Sequence, residues 1–168
     1  MFRIGDRVAY PLHGAGLVQA IEEREVLGVT GAYYVLLFEE ENLRMLIPVS
    51  RAQEVRLRPI ASKEQAEQIL FFLRERCGPE VETTWNQRYR ANLEKLKTGE
   101  LFAMAEVVRS LSAREMKRGL SIGEIRMLQS ARKHLAGELS LAKGVQRSLM
   151  EERLEEILRR GDLCENEA

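Results

Sequence analysis

The sequence predicts an α+β protein, a small N-terminal β-barrel followed by a compact C-terminal bundle of about five helices. Three observations lead there. Up to about residue 58 the chain carries short runs rich in Val, Ile, Tyr, Phe and Leu, broken by turn residues. From residue 62 onward the apolar residues recur at helical spacing. Three capping boxes then mark helix starts in that second part. A chain of 168 residues with 45% hydrophobic residues has enough apolar surface to bury a core in each part.

In the first part, "RVAY", "AGLVQAIEER", "AYYVLLF" and "LRMLIPV" read as strands. "Gly14-Ala15-Gly16", "Gly28-Val29-Thr30-Gly31" and "Glu39-Glu40-Glu41-Asn42" punctuate them. Four or five short strands in about 58 residues suit a closed or half-open barrel. A domain of that size leaves no room for a large pocket and fits a binding module better than an enzyme.

The helical part begins after "Leu57-Arg58-Pro59-Ile60". Ser62 with Gln65, Thr84 with Gln87 and Ser121 with Glu124 are the three capping boxes. They place helices over about 63–76, 85–97 and from 121 to about 142. Gly99 and Gly119 delimit a further helix at about 100–117, and "VQRSLMEERLEEILRR" supplies the fifth, at about 145–160. The domains expected are thus 1–58 and 62–160, with 161–168, "GDLCENEA", as a flexible acidic tail.

Composition excludes several functions. No apolar run approaches the length of a membrane span, and "MFRIGDRVAYP" has no signal-peptide pattern, so a cytoplasmic protein without a membrane partner is expected. Cys77 and Cys164 lie far apart, which suits a reducing compartment. Two His and two Cys without close spacing predict no metal site. His13 sits in a Pro/Gly-rich turn and His134 on a helix, neither beside an acidic partner in sequence. "GAG" at 14–16 lacks the Lys and following helix of a phosphate loop. The triple Glu at 39–41 reads as a solvated hairpin tip rather than a cation site. No catalytic residues, cofactor or small-molecule substrate are expected.

The formal net charge is zero, but its distribution is uneven. Residues 81–135 carry eleven Lys/Arg against six Asp/Glu, while residues 136–168 carry five against eight. A basic segment inside a neutral protein is a footprint of a polyanion partner, although solvated helix faces look alike by charge alone. That segment contains the sole tryptophan, in "ETTWNQRYRANLEKLK". Thr84 as N-cap puts Trp85 at the first helical position, and Tyr89, Leu93 and Leu96 follow as a core-facing stripe. Trp85 either caps that core or projects beyond it. In the second case, the positive helix end with Arg88, Arg90, Lys95 and Lys97 suits phosphates, and the ring suits a wedge at a base step of a minor groove.

Three stretches carry a family resemblance: "FRIGDRVAYPLHGAGLVQAIEER", "TTWNQRYRANLEKLKTGELFAMAEVVRSL" and "RGLSIGEIRMLQSARKHLAGELSLA". With them the chain resembles the CarD/CdnL family of bacterial transcription regulators over nearly its whole length. The first domain also resembles the polymerase-interacting domain of the transcription-repair coupling factor, a much longer protein whose helicase motifs are absent from this sequence.

The resemblance implies a Tudor-like first domain that docks on the RNA polymerase β subunit, edge to edge with a strand of its lobe or protrusion. It implies a helical domain at the upstream edge of the transcription bubble. There Trp85 would enter the minor groove of promoter DNA and stabilise the open complex, the protein acting as a monomer held at the nucleoid by the polymerase. Trp85, Arg88, Tyr89 and Arg90 match the family's wedge region, with Lys95 and Lys97 behind them. On the polymerase side the matching residues are Arg24 and, on "LRMLIPV", Met45, Ile47 and Pro48. Some relatives carry Arg where this chain has Leu46, so Arg44 is the residue left to supply that charge. Met45 and Ile47 fit packing into the barrel equally well. Arg114, Lys117, Arg118, Arg126, Arg132 and Lys133 could extend a phosphate track or be solvated. The alternative is a protein-interaction adaptor in which Trp85 is buried and DNA is not bound.

Overall fold

A computed structural model describes the backbone of residues 1–163 and the side chains of residues 1–161. The chain forms two compact units, Met1–Ile60 and the part that begins at Ala61. Among the described residues no helix is long and apolar enough to cross a membrane.

The first unit is an antiparallel sheet of five strands, β1 (Arg7–Tyr10), β2 (Gly14–Val26), β3 (Val29–Phe38), β4 (Leu43–Pro48) and β5 (Arg58–Pro59). Their spatial order is β4-β3-β2-β1-β5. It is the Tudor-like module in half-open form, with β4 and β5 at its margins. A bulge between Val18 and Ala20 breaks the β2–β3 register and bends the ribbon. One face of the bent sheet then gathers Val8, Val18, Tyr34, Leu36, Phe38, Ile47 and Leu57 into a core. The Phe2 backbone N–H donates to the Tyr34 hydroxyl at 3.0 Å, which satisfies the polar end of that buried ring.

The β2–β3 hairpin is longer than the sequence reading. Only Leu27 and Gly28 form its turn, with φ of 53° and 78°, and both Thr30 and Gly31 lie in the strand. A two-residue turn with positive φ at both positions matches strand twist, and Gly28 supplies one of them without strain. "Glu39-Glu40-Glu41" forms a 3₁₀ turn closed by Asn42 at φ 48°, a conformation that Asn tolerates.

The second unit contains α1 (Lys63–Arg74), α2 (Trp85–Lys97), α3 (Leu101–Lys117), α4 (Ile122–Lys143) and α5 (Arg147–Leu163). All three predicted capping boxes form, at Ser62, Thr84 and Ser121. Helix α1 stops two residues early because Glu75 turns extended, ahead of the Gly78-Pro79 pair. Helix α4 is the spine. Its residues 134–140 are buried all round, and Leu135, Leu139, Leu70, Leu111 and Met150 are among the most buried side chains. Within α4, Glu138 is fully buried and accepts the Ala61 backbone N–H at 2.9 Å, which fastens the entry to α1. Tyr89, Leu93 and Leu96 pack against this core, as their spacing predicts. Helix α5 continues through residues 161–163, which the sequence reading assigned to the tail; residues 164–168 of that segment, Cys164 included, lie outside the described residues.

Gly16 shows how tightly the first core is closed. A Cβ there would come within 2.8 Å of the Phe38 ring, which is 1% exposed and has nowhere to move. Gly16→Ala is therefore expected to destabilise the first unit by about 1–3 kcal/mol, read as a lower denaturant midpoint. An unchanged midpoint would contradict the packing described.

Candidate nucleic-acid interface

The basic segment starts where two helices begin side by side. Thr84 accepts the Gln87 N–H and caps α2, which puts Trp85 on the first turn. Ser121 accepts the Glu124 N–H at 3.3 Å and caps α4. The Trp85 indole Nε1–H donates to Ser121 Oγ at 2.5 Å, and Arg88 Nε donates to Glu124 Oε1, also at 2.5 Å. Trp85 and Arg88, i and i+3 of α2, thus meet the N-cap and the third residue of α4, Ser121 and Glu124. These two bonds bring the N-termini of α2 and α4 together.

Trp85 is not buried within a core. Its ring stacks on Tyr89, with centroids 5.6 Å apart and planes 25° from parallel. Gly123 lies beneath the pair; a Cβ there would be 3.5 Å from Tyr89 and 3.8 Å from Trp85. The residue nevertheless stays 45% exposed. Ile122, next to Ser121, is 73% exposed, so the tip carries two large apolar side chains in solvent.

Arg88 differs from the expectation of mobile positive charge. Its side chain is 16% exposed and its partner Glu124 1%. The hydrogen bond that Arg88 donates to Glu124 raises the Arg88 pKa further. Burial alone would push the Glu124 carboxyl up, but the Arg88 hydrogen bond, with help from Ser121, outweighs it and holds the carboxyl below its ordinary value. The charge of Arg88 is spent on the fold. Lys95 pairs with Glu106 at 3.4 Å and Lys97 with Glu94 at 3.3 Å, both pairs being solvent-exposed. Arg90 is exposed and pairs with no described residue.

Farther along, Arg114 and Arg118 both pair with Glu80, and Arg132 donates to Ser112 Oγ at 3.1 Å. Lys117, Arg126 and Lys133 are exposed. In the first unit β4 is a sheet margin with alternating faces. Arg44 and Leu46 are exposed, Met45 is half-buried against the core, and Ile47 is 3% exposed within it. The Ile47 side chain is therefore committed to the core, and only its backbone stands at the edge; Pro48 ends the strand. Arg24 is exposed on β2 and pairs with Glu22 at 2.6 Å. The fold also brings His13 an acid that sequence proximity did not show, Glu41 at 2.8 Å, while Tyr10 stacks on the His13 ring. Among the described residues no group of three or more His, Cys, Asp or Glu could hold a metal.

Two family models match end to end. Residues 2–61 match the CarD-like/TRCF RID domain, and residues 62–155 match the CarD C-terminal domain. The chain belongs to the CarD family. It is also 37% identical over 145 residues to the putative transcription factor YdeB of Bacillus subtilis (strain 168), spanning 86% of this chain and 94% of that protein.

In this CarD-family protein the sequence reading singled out Trp85, Arg88 and Tyr89 but treated Ser121 and Glu124 only as a helix start. The missing signal is the matched offset. Trp85 to Ser121 and Arg88 to Glu124 are both 36 residues apart, a relation visible only once the two helices are known to be adjacent.

The buried pair implies a pH dependence. A carboxyl whose folded pKa is lowered contributes stability above its unfolded pKa and loses it as pH falls through the folded pKa. Glu124→Gln is expected to cost on the order of 3 kcal/mol near neutral pH. In urea melts the gap to wild type should close as pH drops below the ordinary Glu value of 4.5. A gap that stays constant from about pH 6 to about pH 3 would refute this assignment.

Proposed function

We propose that this protein regulates transcription by holding the open promoter complex. In this reading the Tudor-like unit docks on the RNA polymerase β subunit through the exposed margin of β4, with Arg24 and Arg44 supplying charge. An edge strand offers unpaired backbone groups to a partner strand, and its outward side chains set the choice of partner. Membership of the CarD family, with a front domain of the class shared with the coupling factor, supports this half of the reading.

The observation that carries the DNA half is Trp85, a half-exposed aromatic on a rigid tip where two positive helix ends converge. Such a tip meets phosphates with free N–H groups and presents its ring to a base step. At the upstream edge of the bubble the ring would wedge at the junction of duplex and melted DNA. The adaptor alternative calls for a buried tryptophan, which 45% exposure disfavours. No chemistry is required. A protein that binds the melted state better shifts the equilibrium toward it, and a net preference of about 1.4 kcal/mol shifts it tenfold.

The test is the open-complex lifetime on a promoter with the cognate polymerase. Wild type should lengthen it, Trp85→Ala should not, and both should bind the isolated β lobe equally. A folded Trp85→Ala protein as effective as wild type would bring the adaptor reading forward. Arg90→Ala should weaken DNA association at all sequences and lower its salt slope by about one unit. An unchanged slope would remove Arg90 from the phosphate contacts.

A further inference from the structure

The capping box of α4 does more than a helix start requires. A cap needs Ser121 Oγ to accept the Glu124 N–H and the Glu124 side chain to accept the Ser121 N–H, bonds of 3.3 and 3.0 Å that involve no other helix. Here both side chains have a second set of partners. Ser121 Oγ also accepts the Trp85 indole N–H and donates to Glu124 Oε2 at 3.0 Å. A serine hydroxyl has one donor and two acceptor sites, so its capacity is fully used and its orientation settled. Glu124 keeps Oε2 for the cap and turns Oε1 to Arg88.

The other two boxes lack these features. Their third residues are Gln65 and Gln87, both exposed, and each returns only to its own cap. Only the Ser121 box has Glu, whose acceptor-only carboxylate suits a guanidinium, and only there is the third residue 1% exposed.

We infer that Ser121 and Glu124 are positioning residues for the DNA-contacting tip: Ser121 holds the plane of the Trp85 ring, and Glu124 holds Ser121 and the Arg88 rung behind it. The inference rests on the reading that Trp85 enters DNA. Its physical content is preorganisation. An exposed indole on two free torsions must be immobilised when it inserts, whereas one tethered at Nε1 and stacked on Tyr89 is already ordered. Ordering one side chain in advance corresponds to about two- to tenfold in the lifetime of the bound state.

The test uses the full-length protein and three variants. Ser121→Gly removes the acceptor for the indole, yet glycine is a tolerable N-cap, so α4 still starts in place. Ser121→Thr keeps both the cap and the acceptor. Trp85→Ala is the control. Because Trp85 is the sole tryptophan, its time-resolved fluorescence anisotropy reports this ring alone. In Ser121→Gly the ring should gain a fast local rotation, and the open-complex lifetime should fall about two- to tenfold toward the value without protein. Ser121→Thr should restore both, and binding to the polymerase β lobe should not change. A Ser121→Gly protein with wild-type anisotropy and lifetime overturns the inference. So does slack anisotropy with an unchanged lifetime, which would make the tether irrelevant to DNA. If Trp85→Ala itself leaves the lifetime at the wild-type value, the wedge reading fails and the positioning role falls with it. If only Ser121→Gly is without effect, the wedge stands and the positioning role alone falls.

Discussion

The tip of the helical unit depends on one buried carboxylate. Two helix N-termini placed side by side repel, because each carries a partial positive charge and several free N–H groups. Arg88 adds a full positive charge to the same spot. Glu124 offsets part of it: one oxygen closes the α4 cap and the other takes the Arg88 guanidinium, which leaves the helix ends with net positive character. A buried ion pair is weak evidence for stability in general, since desolvation consumes most of the attraction. Here the pair brings geometry. It lets α2 and α4 start together, and so gives Trp85 a rigid platform with a free outer face.

The same economy of surface appears in the Tudor-like unit, where one strand serves two ends. Every second residue of β4 goes inward, so Met45 and Ile47 seal the core while Arg44 and Leu46 stand outside. A period of two leaves no freedom: a slip of one residue would expose Ile47 and bury Arg44. The register against β3 therefore decides the core and the character of the sheet margin together. The outward pair Arg44 and Leu46 can therefore vary without loss of fold, whereas Ile47 cannot.

Most of this architecture was legible in the sequence because its signals are local. Capping boxes act over three residues, and all three form. The strand alternation in "LRMLIPV" acts over two. The errors lie where local signals compete or stop. Thr30 and Gly31 read as turn residues but sit in a strand, since Leu27 and Gly28 suffice to reverse the chain. Arg88 read as a charge available to phosphates because its acid lies 36 residues away. Residues 161–163 read as part of the acidic tail "GDLCENEA", yet the helix continues through them. The role of Ser121 was hidden for the same reason as that of Arg88. Its cap is a local pattern, but its bond to the indole exists only through the packing of α2 on α4.

The charge distribution takes on a different meaning once pairing is considered. Residues 81–135 hold a surplus of five basic residues in sequence. In the fold Arg88, Lys95, Lys97, Arg114 and Arg118 each face an acid, while Arg90, Arg126 and Lys133 are exposed with no acid beside them among the described residues. If the helical unit meets DNA as proposed, about three such cations would release about three counterions, for a modest salt slope and weak binding to duplex DNA alone. Weak intrinsic affinity is compatible with the proposed role only when a second attachment raises the local concentration of DNA, and a tethered module gains orders of magnitude that way without new contacts. Under the proposed function the sheet margin of the first unit would supply affinity and location, and Trp85 the discrimination between closed and melted DNA. A helical unit with many free cations would bind any duplex and lose that discrimination.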